Sequence, residues 1–239
     1  MNISAWWVAP LFIISTVCAV YLNAFNGVFQ FDDYNVIVDN TVVHSFSAWF
    51  NDLGHGIRPI LKLSYLLNWL SGWGVFGFHI FNISLHAANS ILVYYLACQF
   101  AKYPLAIKSP NQLNTAALLS ALLFALHPVQ TEAVTYICGR STSLMAFFYL
   151  CSLLTYIKGS LNNNKFTLYL VSPLLFIFAM ATKEVAITLP VALLLWDFFC
   201  GVANWRKIIS KQIIHWLLLL IIAAILISHS GYNLSLIHI

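Results

Sequence analysis

Two adjacent carboxylates, Asp32 and Asp33, sit among aromatic and β-branched neighbours (Phe29, Phe31, Tyr34, Val36, Ile37, Val38). Such neighbours pack, and packing partly desolvates an acid pair. The pair can then act as a general base or hold a divalent ion, where a solvated pair would only keep a loop in water. Cations follow. Arg58 precedes Pro59, and Lys62 lies one turn further on if a helix starts at Pro59. Together they can hold a phosphate; an ion pair with Asp52 or contact with lipid headgroups is the competing reading. In His127-Pro128-Val129-Gln130-Thr131-Glu132, Pro128 suits a first helical turn, Glu132 and Tyr136 then share a face, and Gly139 closes the segment before Arg140. An acid and a cation are thereby held on one compact connection, either as chemistry or as a salt-bridged hairpin. Lys183-Glu184 adds one more of each, and snorkelling ends of an interfacial turn would explain it equally.

Four polar residues form a stripe. His79, Asn82, His86 and Asn89 are offset by 3, 7 and 10 positions, which confines them to about an 80° sector of one helix. In an apolar helix such a stripe faces the bundle interior. Helix-to-helix hydrogen bonding accounts for Asn82 and Asn89 without catalysis. The spacing of the two histidines matches no common metal motif. Cys18, Cys98, Cys138, Cys151 and Cys200 are odd in number, dispersed and without a C-x-x-C pair, so they outline neither a disulfide framework nor a metal site. Gly72-Trp73-Gly74-Val75-Phe76-Gly77 satisfies G-x-G-x-x-G, but no strand-to-helix context surrounds it and no acid follows at the required distance. It reads as a glycine-rich return to the apolar phase.

The elements that must position these groups follow from composition. Of 239 residues, 61% are hydrophobic and 8% charged, against about 25% charged in an ordinary soluble domain. That excludes a water-soluble fold and points to an all-α, polytopic membrane helix bundle. Apolar runs at 6–25, 79–100, 115–127, 143–157, 166–182, 185–200 and 213–229 predict about seven spans. The long polar stretch 26–78 is an outer loop with room for short helices on the membrane surface. With the amino terminus inside, seven basic residues fall on the inner side and four (Arg58, Lys62, Arg140, Lys183) on the outer, in keeping with the positive-inside rule. Asp32, Asp33, Asp39, Asp52, Glu132 and Glu184 all fall outside, with only Asp197 near the inner face. Acids contribute little to topology, so this asymmetry suggests a functional outer face. The last six residues, 234–239, read as translated adapter sequence, so residues 1–233 are expected to be an incomplete transmembrane domain.

Taken in order, these segments resemble one family: the transmembrane and tetratricopeptide-repeat proteins and their bacterial relatives, which are glycosyltransferases of the GT-C fold related to protein O-mannosyltransferases. The matching pieces are Phe31-Asp32-Asp33-Tyr34 with Ile37 and Asn40, Arg58-Pro59-Ile60, Gly77-Phe78-His79 with Asn82 and Leu85-His86, the run from Ala125 to Val134 with Gly139-Arg140, and Lys183-Glu184 leading to Leu189-Pro190. The resemblance implies transfer of a sugar, mannose in the best-known members, from a polyprenyl-phosphate carrier to a protein Ser or Thr hydroxyl on the lumenal or periplasmic side. It assigns the base to Asp32 or Asp33: adjacent side chains of an extended segment point oppositely, so one of them faces the donor, and the resemblance favours Asp32, which aligns with the first acid of the outer-loop pair in related mannosyltransferases. Arg58, Arg140 and Lys183 become candidates for the donor phosphate, with His79, His86, His127, Glu132 and Glu184 in support. No resident cofactor is implied, and a divalent metal in place of the cations stays open. Partners are the lipid-linked sugar, a protein acceptor and membrane lipids, with no nucleic acid. The membrane is a bacterial inner membrane or that of the endoplasmic reticulum. The competing reading is a non-catalytic scaffold for a tetratricopeptide-repeat domain. A transporter ranks lower, since neither mid-membrane acids nor repeated broken helices are visible.

Overall fold

A computed structural model describes residues 7–54, 56–200 and 204–228; the 234–239 tail lies outside these. Among the described residues every regular element is helical. In chain order they are α1 (Val8–Tyr21), α2 (Phe46–Asp52), α3 (Pro59–Ser71), α4 (Gly74–Lys102), α5 (Pro110–Leu126), α6 (Gln130–Thr135), α7 (Arg140–Leu161), α8 (Ser172–Met180), α9 (Leu189–Phe199) and α10 (Trp205–Ser228). Each expected apolar run lies on a helix, because in hydrocarbon only internal hydrogen bonds satisfy the backbone.

Among the described residues four helical stretches are long and apolar enough to cross a bilayer: Val8–Asn26, Gly74–Lys102, Ile137–Leu161 and Trp205–Ile225. The other three runs form shorter helices. One of them, Thr167–Met180, is apolar and opens with a π-type turn over Thr167–Val171 ahead of α8. α9 is preceded by a 3₁₀ turn over Glu184–Thr188.

α4 is the central post, packed against α1, α3, α5 and α7. Its closest approach uses small residues: Ala117, Ala121 and Ala125 recur every fourth position of α5 and are fully buried in a cluster with Ile83 and Ala87 of α4 and Ile13 and Val17 of α1. Small side chains let backbones approach where lipid offers no hydrophobic drive between helices. A second cluster unites α7, α8 and α9 around Tyr156, Phe176, Leu193 and Trp196. A third lies at one end of the bundle, where Ile37 and Val43 of the 26–78 connection pack on Leu61 and Tyr65 of α3, Phe78 of α4 and Ile137.

That connection is built from local signals. Asn40 accepts from the Val42 amide at 3.1 Å and starts a 3₁₀ turn. Ser45 caps α2 through the Ala48 amide at 3.2 Å. Pro59 occupies the first turn of α3, as its sequence suggests. Gly72 and Gly74 both adopt positive φ between α3 and α4, so the glycines of the G-x-G-x-x-G string serve a tight helix-to-helix return. One expectation changes: the segment around Asp32 and Asp33 is not extended. Phe31 takes a left-handed φ of 46° and a helical turn follows, passing into a π-type turn over Tyr34–Val38.

Candidate functional site

Three connections meet at the same end of the bundle: 26–58, 127–139 and 181–188. They are tied by hydrogen bonds across large sequence separations. The Cys138 amide donates to Asp33 Oδ1 at 2.9 Å, the Ile60 amide to the Ala181 carbonyl at 3.2 Å, and the Asp32 amide to the Tyr136 hydroxyl at 3.1 Å. Between them lies a pocket of about 240 Å³ lined by Asp32, Arg58, Glu132, Tyr136, Thr142 and Lys183, with Tyr65, Ser141 and Gly139 among the remaining walls. Two acids and two cations from these three connections thus line one cavity.

The cations are held, not loose. Arg58 has a φ of 57°, a left-handed conformation that turns the chain into Pro59. Its guanidinium grips Glu184 in a bidentate pair, with Nε to Oε1 at 3.0 Å and Nη2 to Oε2 at 2.9 Å. Both side chains remain about one-third exposed, at 35% and 28%. Lys183 donates to the Thr142 hydroxyl at 2.8 Å. Burial, and then the nearby Arg58 charge, hold its ammonium below the ordinary lysine pKa. Lys62 is not part of the pocket: it pairs with Asp52 at 2.6 Å, the alternative its sequence neighbourhood left open.

The two adjacent acids have different fates. Asp33 is 1% exposed, and its carboxylate is consumed by backbone donors, Gln30 N–H to Oδ2 and Cys138 N–H to Oδ1, both at 2.9 Å. Such charge-assisted bonds contribute roughly 1.5–3 kcal/mol each. Asp32 is exposed; its amide is engaged and the residue borders the pocket. Glycine is required nearby for close approach: a Cβ on Gly139 would lie 2.3 Å from the Glu132 carbonyl oxygen. Gly139 therefore lets the 127–139 connection fold back on itself.

Arg140 does not reach the pocket, nor does it pair with Glu132. It is fully buried. Its Nε donates to Asn82 Oδ1 at 2.8 Å, and its terminal nitrogens to the Ser64 and Phe78 carbonyls at 3.1 and 3.2 Å. The rings of Tyr65, Phe78 and Phe81 surround its guanidinium at 4.9, 5.2 and 4.3 Å. Closed in by carbonyls and aromatic faces, it joins α3, α4 and α7 and offers no open fork to a phosphate.

The polar stripe faces inward as expected. His86 bonds the Ala125 carbonyl at 3.0 Å and Asn89 the Ser143 carbonyl at 2.9 Å, so both tie helices together. His127 is exposed and accepts from the Val129 amide at 3.2 Å, away from the pocket. His79 is buried beneath the Asp33 turn and lines a separate cavity.

Two contributors were not singled out from sequence: Tyr136, which anchors the Asp32 amide, and Thr142, which positions Lys183. Burial raises the Tyr136 hydroxyl to about 12, so it remains a proton donor at neutral pH. Only the Glu132–Tyr136 spacing hinted at its place. Among the described residues no cluster of three His, Cys, Asp or Glu is arranged to hold a metal ion.

The chain is 32% identical over 176 residues to the human protein O-mannosyl-transferase TMTC4, covering 66% of this chain and 24% of that protein. It is 32% identical over 208 residues to the protein O-mannosyl-transferase Tmtc1 of Drosophila melanogaster, covering 81% and 22%. With the mouse protein O-mannosyl-transferase TMTC3 it shares 30% identity over 193 residues, covering 74% and 20%. The chain belongs to the TMTC family. It spans under a quarter of the length of these relatives. No family profile matches the TMTC-like chain, and no solved structure does. Family membership and the apolar helices together make it an integral membrane protein.

Proposed function

We propose that this chain carries the reaction site of a membrane glycosyltransferase that moves a sugar, mannose by kinship, from a polyprenyl-phosphate carrier to a Ser or Thr hydroxyl of a protein on the lumenal or periplasmic side. One observation carries the reading: Asp32, Glu132, Arg58 and Lys183 converge on one pocket at the end of the bundle where the long connections lie.

In this mechanism the acceptor oxygen attacks the anomeric carbon while its proton passes to the Asp32 carboxylate. The bond from that carbon to the phosphate oxygen breaks, and its electron pair leaves with the phosphate. Arg58 and Lys183 offset the charge that develops there, where preorganised donors act most strongly. Glu184 orients Arg58, Thr142 orients Lys183, and Asp33 shapes the turn that presents Asp32. Arg140 is left out of the phosphate set because its donors point into the core.

The test is sugar transfer in membranes bearing the full-length protein. Asp32→Asn keeps shape and hydrogen bonding but removes the basic carboxylate. Transfer is expected to fall by roughly 10²- to 10⁴-fold. If Asp33→Asn instead abolishes transfer and Asp32→Asn does not, the base is wrongly assigned; if both variants transfer normally, neither acid is the base and this mechanism fails, and if the unaltered full-length protein transfers nothing, the scaffold reading replaces this one.

A further inference from the structure

Glu132 and Tyr136 border the charged pocket and take no step in the transfer chemistry. They stand four positions apart, Glu132 in the first turn of α6 and Tyr136 just past its end, a spacing that puts them on one side of the segment. The segment is held against α7, where the Ser143 hydroxyl donates to the Ala133 carbonyl at 2.9 Å. Neither side chain has spent its capacity. Among the described residues the Glu132 carboxylate enters no ion pair and no hydrogen bond, although two cations line the same walls: Arg58 is given to Glu184 and Lys183 to Thr142. Its charge still reaches the site. Burial and Arg58 lower the Lys183 pKa, and Glu184 and Glu132 pull it partly back. The Tyr136 hydroxyl accepts from the Asp32 amide at 3.1 Å, and among the described residues nothing receives its own proton.

A second carboxylate in a phosphate pocket needs a reason. Proton removal uses one base, and like charges brought together oppose each other, so a bare Glu132 would weaken the hold of Arg58 and Lys183 on a phosphate. Donors resolve that conflict, and they must arrive with the phosphate. A hydroxyl donates one hydrogen bond and can also accept. Two hydroxyls on adjacent ring carbons can therefore donate to the two oxygens of Glu132, while one of them accepts the Tyr136 proton. A metal ion would satisfy the carboxylate but not the tyrosine, and a hydrocarbon would satisfy neither. The pocket, at about 240 Å³, falls below the ~300 Å³ where drug-sized sites begin. It suits one ring with its phosphate and not a longer glycan.

We propose that Glu132 and Tyr136 form the specificity-determining wall of the charged pocket, binding neighbouring hydroxyls of a single hexose ring whose phosphate lies at Arg58 and Lys183 in the same cavity. The assignment deepens the transfer reading, on which it rests for the claim that this ring is the sugar being moved. It divides the labour of the two pocket acids: Asp32 takes the acceptor's proton and Glu132 reads the donor's ring.

The test compares mannose 1-phosphate with methyl phosphate in calorimetric titrations of the full-length protein in lipid nanodiscs; the two probes share a phosphate monoester and differ by the ring. The parent is expected to prefer the sugar phosphate at least tenfold. Glu132→Gln should cut that preference to threefold or less while methyl phosphate binds as well as to the parent or better, since a repelling charge is gone. Tyr136→Phe should cut the preference at least threefold, with methyl phosphate affinity within twofold of the parent. A side chain that only supported the fold would lower both affinities together. A parent without preference, a preference that survives either variant, or a joint loss of both ligands in Glu132→Gln overturns the proposal. If Tyr136→Phe loses both because the Asp32 turn has come free, Glu132→Gln decides alone, as its carboxylate holds no other group. The two readings fail separately: a ring preference that depends on Glu132, with transfer indifferent to Asp32→Asn, sinks the transfer mechanism and keeps the sugar wall, and the opposite pair of results sinks the wall and keeps the mechanism.

Discussion

The Asp32 pocket and the polar knot around Asp197 contain the same kind of acid in opposite circumstances. Asp197 of α9 is 1% exposed. Its Oδ2 accepts from the Tyr156 hydroxyl of α7 and from Gln212 Nε2 of α10 at 2.5 and 2.7 Å, and Trp216 closes on Gln212 Oε1 at 3.2 Å. Beside it, Ser172 links Ser152 to His215. The donors around Asp197 bind α7, α9 and α10 into one unit in a phase where polar contacts are few. At the pocket, by contrast, the acid is exposed, its amide rather than its carboxylate is engaged, and the cations opposite are preset by their own partners. Availability, more than residue type, separates a group that can react from a group that fastens. Asp33, one residue from Asp32, belongs with Asp197 by this measure.

That contrast can be broken experimentally. The largest effect is expected at Asp32: Asn there should lower sugar transfer by roughly 10²- to 10⁴-fold with the thermal unfolding midpoint in detergent unchanged. A midpoint that falls along with transfer would place Asp32 among the fasteners. Arg140→Leu should do the reverse, destabilising the fold by about 1–3 kcal/mol for each buried acceptor left unpaired, since Asn82 Oδ1 and two carbonyls lose their donor. Denaturant unfolding of the purified protein measures this, and a variant as stable as the parent would refute the structural role of Arg140.

Asp197→Ala should cost about 1–3 kcal/mol for each of its two donors left without an acceptor, with the donor's KM unaltered. A change in KM without loss of stability would move that knot into the functional class.

The Lys183 charge gives a pH test. Its pKa is lowered from 10.5, so phosphate affinity should be complete below the lowered value and decline as pH rises through it, before an ordinary lysine would titrate. Fold stability runs the other way, since the cost of burying the ammonium disappears over that same rise. Lys183→Arg should carry the affinity limb to higher pH in an isothermal titration series, and an unmoved limb would assign it to another group. The smallest effect belongs to Arg58 and Glu184: at one-third exposure their coupling in a double-mutant cycle should be about 0–1 kcal/mol and shrink with salt. A coupling of several kcal/mol would show the pair to be a structural clamp.

The helices were legible because long apolar runs have little else to become in a bilayer, and Pro59 announces the start of its own helix. The inward face of His79, Asn82, His86 and Asn89 was equally readable from spacing. Arg140 was not. Its partners are backbone carbonyls of Ser64 and Phe78, which carry no side-chain signature, so an exposed cation and a buried one look alike in the chain. The turn at Asp32 was misjudged as extended because nothing in Phe31 signals a positive φ. Tyr136 is readable only as a face-mate of Glu132, because its hold on the Asp32 amide spans 104 residues.

The bonds that close the pocket also order its assembly in time. Asp33 waits for a partner 105 positions later, and Arg58 for one 126 positions later. At synthesis rates of about 5–20 residues per second, the first of these gaps lasts roughly 5–20 s. Through that interval the Asp33 carboxylate and the Arg58 guanidinium lack the partners that hold them. A chain stopped before residue 138 therefore lacks both the amide that fixes the Asp33 turn and the carboxylate that orients Arg58.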